Sequence, residues 1–215
     1  MRRPELRGLY CITDPELTRQ SPLGIEQMLE QAILGGARVI QYRDKYASAE
    51  TQADVANRLC QLCRQHSVIF LINDDPPLAR AVDAHGVHLG QTDSDLAEAR
   101  QLLGKDRIIG MTCHADLELA RVAEQQGADY VAFGRFFPSK TKPQASPAPI
   151  DLLPEARARL QIPIAAIGGI TIDNAPSLLA AGADMLAVIH GVFGQQDIQQ
   201  AAAGFARLFD SPVGS

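Results

Sequence analysis

Clustered positive charge is scarce in this chain, and long apolar runs are missing. No basic run exceeds Arg2-Arg3, and the net charge is −5, so the electrostatic footprint of a nucleic-acid binder is lacking. That balance still permits phosphate ligands, which need only a local positive site. No apolar stretch approaches the roughly 20 residues of a membrane-spanning helix. The first residues, Met1-Arg2-Arg3-Pro4-Glu5-Leu6-Arg7, lack the apolar centre of a signal peptide, and retention in the cytoplasm is the expectation. Cysteine is sparse as well: Cys11, Cys60, Cys63 and Cys113. Cys60 and Cys63 form a C-x-x-C, but no second pair lies near them to complete a zinc site. Their context, from Val55 to Cys63, is an amphipathic helical pattern that favours buried helix cysteines, and a cytoplasmic setting argues against disulfides. The five histidines form no metal-ligand pair at helical spacing, and no Ser/His/Asp order stands out. General-base catalysis by histidine is permitted but not demanded.

What is present is a regular alternation. At 215 residues, with 46% hydrophobic and 21% charged, the chain makes one large domain or two small ones with a substantial core. Short apolar runs predict strands at Leu9–Thr13, Val39–Tyr42, Ile69–Ile72, Gly86–Leu89, Ile108–Thr112, Tyr130–Phe133, Ile164–Ile167 and Met185–Ile189. They lack strict polar alternation, as strands covered on both faces should. Helical patterns lie near 23–35, 49–65, 76–83, 94–103, 115–126, 150–160, 172–181 and 196–209. Several end in Gly-Gly or Gly-Ala, at Gly35-Gly36, Gly127-Ala128 and Gly182-Ala183, where Gly supplies a left-handed residue that closes the helix. Eight βα units without a long insertion predict a (β/α)8 TIM barrel, one compact domain over 1–215. The alternative is an open flavodoxin-like sheet, which needs only about five strands. His88 is a candidate for the barrel interior.

Polar residues collect at the expected carboxyl ends of the strands, where α/β folds bind ligands. Gln41-Tyr42-Arg43-Asp44-Lys45 places an amide and two cations there; Arg offers a planar fork and Lys a point charge, a combination that suits a diphosphate. The plainer reading is a solvated charged turn. Asn73-Asp74-Asp75 and Gly90-Gln91-Thr92-Asp93 follow the third and fourth strands. Asp74 and Asp93 suit a Mg²⁺ ion that shares its shell with waters and substrate phosphate, or else they are helix N-caps. Asp75, before Pro76-Pro77, reads as a cap. Gly168-Gly169 offers backbone N–H groups to a phosphate beside a helix start, or serves tight packing. The loop 136–149 is rich in proline and hydroxyls, and reads as a mobile active-site lid.

Seven motifs in order resemble one family over nearly the whole chain. They are Leu9-Tyr10-Cys11-Ile12-Thr13-Asp14, Gln41 to Lys45, Asn73-Asp74, Gly86 to Asp93, Gly110-Met111-Thr112-Cys113-His114, Gly134 to Lys142, and Ile167-Gly168-Gly169-Ile170. The pattern is similar to that of thiamine-phosphate synthases (thiamin-phosphate pyrophosphorylases). The resemblance implies condensation of hydroxymethylpyrimidine diphosphate with hydroxyethylthiazole phosphate, giving thiamine phosphate and pyrophosphate through a pyrimidine carbocation. By that likeness Gln41, Tyr42, Arg43, Asp44, Lys45 and Asn73 hold the pyrimidine substrate, with Arg43 and Lys45 on its diphosphate. Asp74 and Asp93 hold Mg²⁺, and the Thr112 hydroxyl serves the leaving group where the family usually has Ser. Ser139, Lys140, Thr141 and Gly169 bind substrate, with Ser139, Thr141 and Gly169 at the thiazole phosphate, and Lys142 contacts the pyrophosphate. Ser139 stands where Thr is common, Arg135 where Pro is common, and His190 where the family has a Ser. The rival readings are the family's thiazole tautomerase branch and a non-catalytic sensor of thiazole phosphate; neither needs the basic segment together with the two carboxylates. Homo-oligomer formation is left open.

Overall fold

The computed structural model describes residues 6–91, 95–139 and 146–210. Eight parallel strands pair in chain order and close on themselves: β1 Gly8–Ile12, β2 Val39–Tyr42, β3 Ile69–Asn73, β4 Gly86–Leu89, β5 Ile108–His114, β6 Tyr130–Gly134, β7 Ile164–Ile167 and β8 Met185–Val188. β1 pairs with both β2 and β8, so no strand is left as an edge. The barrel therefore stands and the open sheet does not. Every strand ends within two residues of its expected bounds. The helices α2 Ile25–Leu34, α3 Ala49–Gln65, α4 Pro76–Ala81, α5 Leu96–Leu103, α6 Leu117–Gln125, α7 Leu152–Arg159, α8 Ala175–Ala180 and α10 Ile198–Arg207 answer the expected helical stretches. Two short ones, α1 Pro15–Gln20 and α9 His190–Phe193, were not anticipated. No helix of the described residues is long and apolar enough to cross a membrane.

Strand alternation divides the core into two layers. Leu9, Cys11, Ile40, Phe70, Ile72, Val87 and Leu89 face outward and meet the helices. Tyr10, Ile12, Val39, Ile69, Leu71, Tyr130 and Met185 fill the barrel. Helices supply the outer cover: α3 buries Ala56, Leu59, Cys60 and Cys63, and α10 buries Ile198, Ala202 and Phe205. Full burial of a side chain such as Phe205 stabilises by about 1.5–3 kcal/mol. Cys60 and Cys63 are thus core residues of a helix, as expected, and burial pushes the Cys63 thiol well above its ordinary range.

The helix-to-strand connections share one device. Gly36, Gly127 and Gly182 have φ of +101°, +91° and +107°. After each, the next residue's N–H reaches back to the helix: Ala37 to Ala32, Ala128 to Ala123 and Ala183 to Leu178, at 2.9–3.0 Å. α3 and α4 close in the same way without glycine, through Ser67 (φ 57°) and Asp83 (φ 56°).

The residue after Gly-Ala does a second job. Asp129 accepts from the Ile109 N–H at 2.8 Å and pairs with Arg100 at 2.6 Å. Asp184 accepts from the Ile164 N–H at 2.8 Å and pairs with Arg157. Each carboxylate thus satisfies an amide at the start of a neighbouring strand and holds a helix arginine over the amino end of the barrel. These contacts tie the amino rim together, and in this fold ligands bind at the opposite rim.

Asp129 is 6% exposed, and its replacement by Ala strands the Ile109 amide. We expect Asp129→Ala to cost about 2–4 kcal/mol, less than a fully buried pair because Arg100 is partly solvated. That corresponds to a melting temperature lower by on the order of 10 °C. Thermal denaturation followed by circular dichroism measures it, and a shift of under about 2 °C would deny the pair a structural role.

Candidate active site

The carboxyl rim is assembled from strand ends that are distant in sequence. Thr13, just past β1, sets the start of the basic segment: its hydroxyl accepts from the Arg43 N–H at 2.8 Å and donates to the Arg43 carbonyl at 3.2 Å. The Thr13 N–H also donates to the Gln41 carbonyl at 2.9 Å. Arg43 is therefore clamped at its backbone while its side chain is half-buried. Asp44 accepts from the Tyr46 and Ala47 amides at 2.8 and 3.1 Å, an Asx turn that presents Lys45. A cleft of about 310 Å³ borders Thr13, Arg43 and Asp44.

Lys45 crosses to the next strand. Its ammonium lies 3.0 Å from the Asp74 carboxylate, and the Asn73 amide donates to the same oxygen at 2.6 Å. Asp74 has φ of +61°, a conformation that costs an L-residue about 1–2 kcal/mol. Its N–H is tied to the His88 carbonyl at 2.8 Å. The capping alternative for Asp74 fails, because Asp75 caps α4 by accepting from Leu78 N–H at 2.8 Å. α5 is capped by Asp95, which accepts from Ala97 and Glu98.

Gln41 and Tyr42 part company. Gln41 is 2% exposed and turned inward, where its amide donates to the Tyr10 hydroxyl. Tyr42, expected among the substrate-binding residues, lies by strand alternation in the outer layer between barrel and helices and also borders the cleft beside Arg43 and Asp44. Its hydroxyl is buried there without a hydrogen-bond partner. Burial, then the nearby Asp44 charge, pushes its pKa up to about 12.

The interior contacts continue from Tyr10. Its hydroxyl lies 2.9 Å from that of Tyr130, which lies 2.8 Å from His88 Nδ1. His88 Nε2 is 2.8 Å from Thr112 Oγ1. His88 does point into the barrel, stacked on Tyr130 with ring centres 5.5 Å apart. Thr112 precedes a β-bulge, where pairing skips from Thr112 to His114, and bulges re-aim side chains at strand ends. Burial drives the Tyr10 and Tyr130 hydroxyls well above the ordinary tyrosine pKa. Sequence reasoning gave Tyr10 and Tyr130 no role, since each sits in an apolar run. The available signal was that a tyrosine in a strand covered on both faces needs a partner for its hydroxyl.

On the far side of the rim, Gly168 (φ +102°) and Gly169 (φ +64°) press against the loop after β6. A Cβ on Gly169 would lie 2.3 Å from the Pro138 carbonyl oxygen, and one on Gly168 would lie 2.2 Å from Arg135 Cβ. Tight packing is thus one demand that both glycines meet. The Ala148 N–H donates to the Arg135 carbonyl at 2.8 Å, which joins the two ends of that loop. Ser139 is half-buried beside it. Asp93, Lys140, Thr141 and Lys142 lie outside the described residues.

Hard oxygen donors with cations beside them suit a divalent ion shared with a phosphate ester. Asp74 supplies such a donor, 20% exposed. Among the described residues no group of three or more His, Cys, Asp or Glu converges.

The profile of the thiamine monophosphate synthase family matches residues 9–192. A thiamine-phosphate synthase of Thioalkalivibrio sulfidiphilus is 50% identical over 208 residues, 95% of this chain and 96% of the relative. One of Marinobacter nauticus is 52% identical over 210 residues, covering 96% and 93%. The solved thiamine phosphate pyrophosphorylase of Pyrococcus furiosus superposes with a TM-score of 0.86 at 34% identity, covering 94% and 95% of the two chains. With a profile match over residues 9–192 and relatives about half identical over more than nine tenths of its length, the chain belongs to the thiamine monophosphate synthase family.

Proposed function

We propose that this chain joins a pyrimidine methyl diphosphate to a thiazole phosphate, releasing pyrophosphate and thiamine phosphate. The C–O bond to the diphosphate breaks with both electrons leaving on oxygen, and the thiazole nitrogen forms the new C–N bond at the methylene. The observation that carries this reading is the Lys45–Asp74 pair at 3.0 Å. It sets a cation and a metal-competent carboxylate from adjacent strands on one rim. Neither an isomerase of the thiazole nor a sensor of its phosphate calls for that pair.

The reaction develops charge rather than transferring protons. A departing pyrophosphate gathers negative charge, and preorganised cations lower that barrier most. Arg43 and Lys45 take the diphosphate, with Lys142 added from the loop. Asp74 and Asp93 would hold Mg²⁺, which supplies Lewis-acid charge neutralisation on the diphosphate. Gln41 and Asn73 orient the pyrimidine, whose electron-rich ring stabilises the cation. Thr112 offers its hydroxyl to the leaving group. Asp44 acts through the turn that presents Lys45. Ser139, Lys140, Thr141 and Gly169 bind the second substrate, and the loop 136–149 acts as the lid that keeps water from the cation. The chain's place is the cytoplasm.

We expect pyrophosphate release that requires both substrates and Mg²⁺, read by a coupled pyrophosphate assay and abolished by EDTA. A folded protein that releases none would defeat the proposal. We further expect Arg43→Ala and Asp74→Asn each to lower kcat/KM by about 10²–10³-fold. Asn keeps the left-handed backbone accessible, and the ion pair it breaks is half exposed and worth under about 1 kcal/mol. Melting temperatures should therefore stay within about 4 °C of the parent. Near-normal turnover in both variants would sink the site assignment.

A further inference from the structure

Four hydrogen-bond contacts run through the barrel interior and end at Thr112. In order they join Gln41 to Tyr10, Tyr10 to Tyr130, Tyr130 to His88, and His88 to Thr112. Gln41 and His88 are buried, and Tyr10 and Tyr130 are among the most enclosed side chains of the protein. Bulk water is therefore shut out of the middle of the series.

Hydrogens can be counted along it. Each contact needs one. Gln41 faces Tyr10 with its amide nitrogen, which can only donate. Tyr10 accepts that hydrogen and has a single one of its own, which serves Tyr130. Tyr130 then spends its hydrogen on His88 Nδ1. Burial keeps both phenols protonated, so neither hydrogen is missing. A neutral His88 with Nδ1 accepting must carry its proton on Nε2, which faces Thr112 Oγ1 at 2.8 Å. The Thr112 hydroxyl accepts it, and its own hydrogen is left over for the mouth of the barrel.

We infer that Tyr10, Tyr130 and His88 are positioning residues that carry a donor direction from Gln41 to Thr112 and present the Thr112 hydroxyl to the site as a hydrogen-bond donor. The inference rests on the proposed function, in which Thr112 meets an anionic leaving oxygen. Such an oxygen needs a donor, and a donor fixed before the reaction needs no reorganisation during it. Run the other way, the series has Thr112 donate to His88 Nε2 and turn lone pairs toward an anion. The sequence disposes the interior for this purpose. Gly110 has no side chain where one would lie 2.0 Å from the Tyr130 ring, and that space lets the phenol reach both Tyr10 and His88.

The tautomer of His88 reports the direction. Long-range ¹H–¹⁵N correlation of histidine-labelled protein without substrates, with His88 assigned by loss of its signals in His88→Gln, should show the proton on Nε2. Tyr130→Phe removes the donor to Nδ1, so His88 should become a mixture of tautomers. In the same variant kcat for pyrophosphate release should fall about tenfold, less than for outright loss of a donor, with KM for both substrates within about twofold. A proton on Nδ1 in the parent protein overturns the inference, and so does an unchanged kcat in folded Tyr130→Phe. If that variant does not fold, the tautomer of the parent decides alone. Failure of the parent to release pyrophosphate strikes the proposed reaction instead, whichever tautomer is found.

Discussion

Tyr10 and Tyr130 meet inside the barrel with their hydroxyls 2.9 Å apart, and much of the interior is arranged around that contact. Two phenols from strands three apart around an eight-stranded barrel occupy space that only small side chains nearby leave open. Gly110 lies under the Tyr130 ring, and Ala132, Ala165 and Ala187 are small residues of the same interior cluster. The rings cross nearly at right angles, at 77°, so their edges and faces attract rather than repel. A buried phenol without a partner would cost about 1–3 kcal/mol. Gln41 and His88 remove that cost, and by doing so they draw polar groups up toward the mouth of the barrel.

The two rims divide the labour. At the amino end, arginines on α5 and α7 meet carboxylates that also bind strand amides. Arg64 and Arg107 converge on Asp83 at the end of α4, and the Asp83 carboxyl is held below its usual range despite the opposing effect of burial. These charges are saturated by one another. At the carboxyl end Lys45 pairs with Asp74, and Arg43 is clamped by its backbone and borders the cleft. A net charge of −5 describes neither rim, because a local field depends on arrangement and not on the total.

The barrel was legible because it is written in periodicities. Eight apolar runs and the Gly-Ala closures at 127–128 and 182–183 survive any detail of packing. α1 was not anticipated: Asp14-Pro15 is a cap followed by proline at the first turn, but its six residues show little apolar rhythm. α9, with four residues, carries none. Side-chain direction was harder. Gln41 and Tyr42 are neighbours in a motif, and only the register of β2 against β1 and β3 shows that they face opposite layers. The caps were a matter of one residue: Asp74 or Asp75 could each start α4, and the proline pair at Pro76-Pro77 fits either. Contacts between β1, β4, β5 and β6 across the interior have no sequence signature, since they follow from barrel closure and not from spacing.

Backbone strain separates the ordinary from the purposeful. Among the described residues, four other than glycine have positive φ: Ser67, Asp83, Asp74 and His114. Ser67 and Asp83 stand where Gly36, Gly127 and Gly182 stand in other units, and the back-bonded turns around them recover the cost: Val68 N–H to Cys63 and Ala84 N–H to Ala79, each at 2.9 Å. No helix ends at Asp74 or His114. Asp74 follows β3 and carries the carboxylate that meets Lys45, and His114 is the last residue of β5 and completes the bulge at Thr112. Strain of about 1–3 kcal/mol persists only where surrounding bonds impose it. For Asp74 those bonds come from His88, Asn73 and Lys45, and two of the three are themselves residues of the rim. The fold thus holds a left-handed Asp74 on the carboxyl rim by bonds from the neighbouring strands and not by a helix-closing turn.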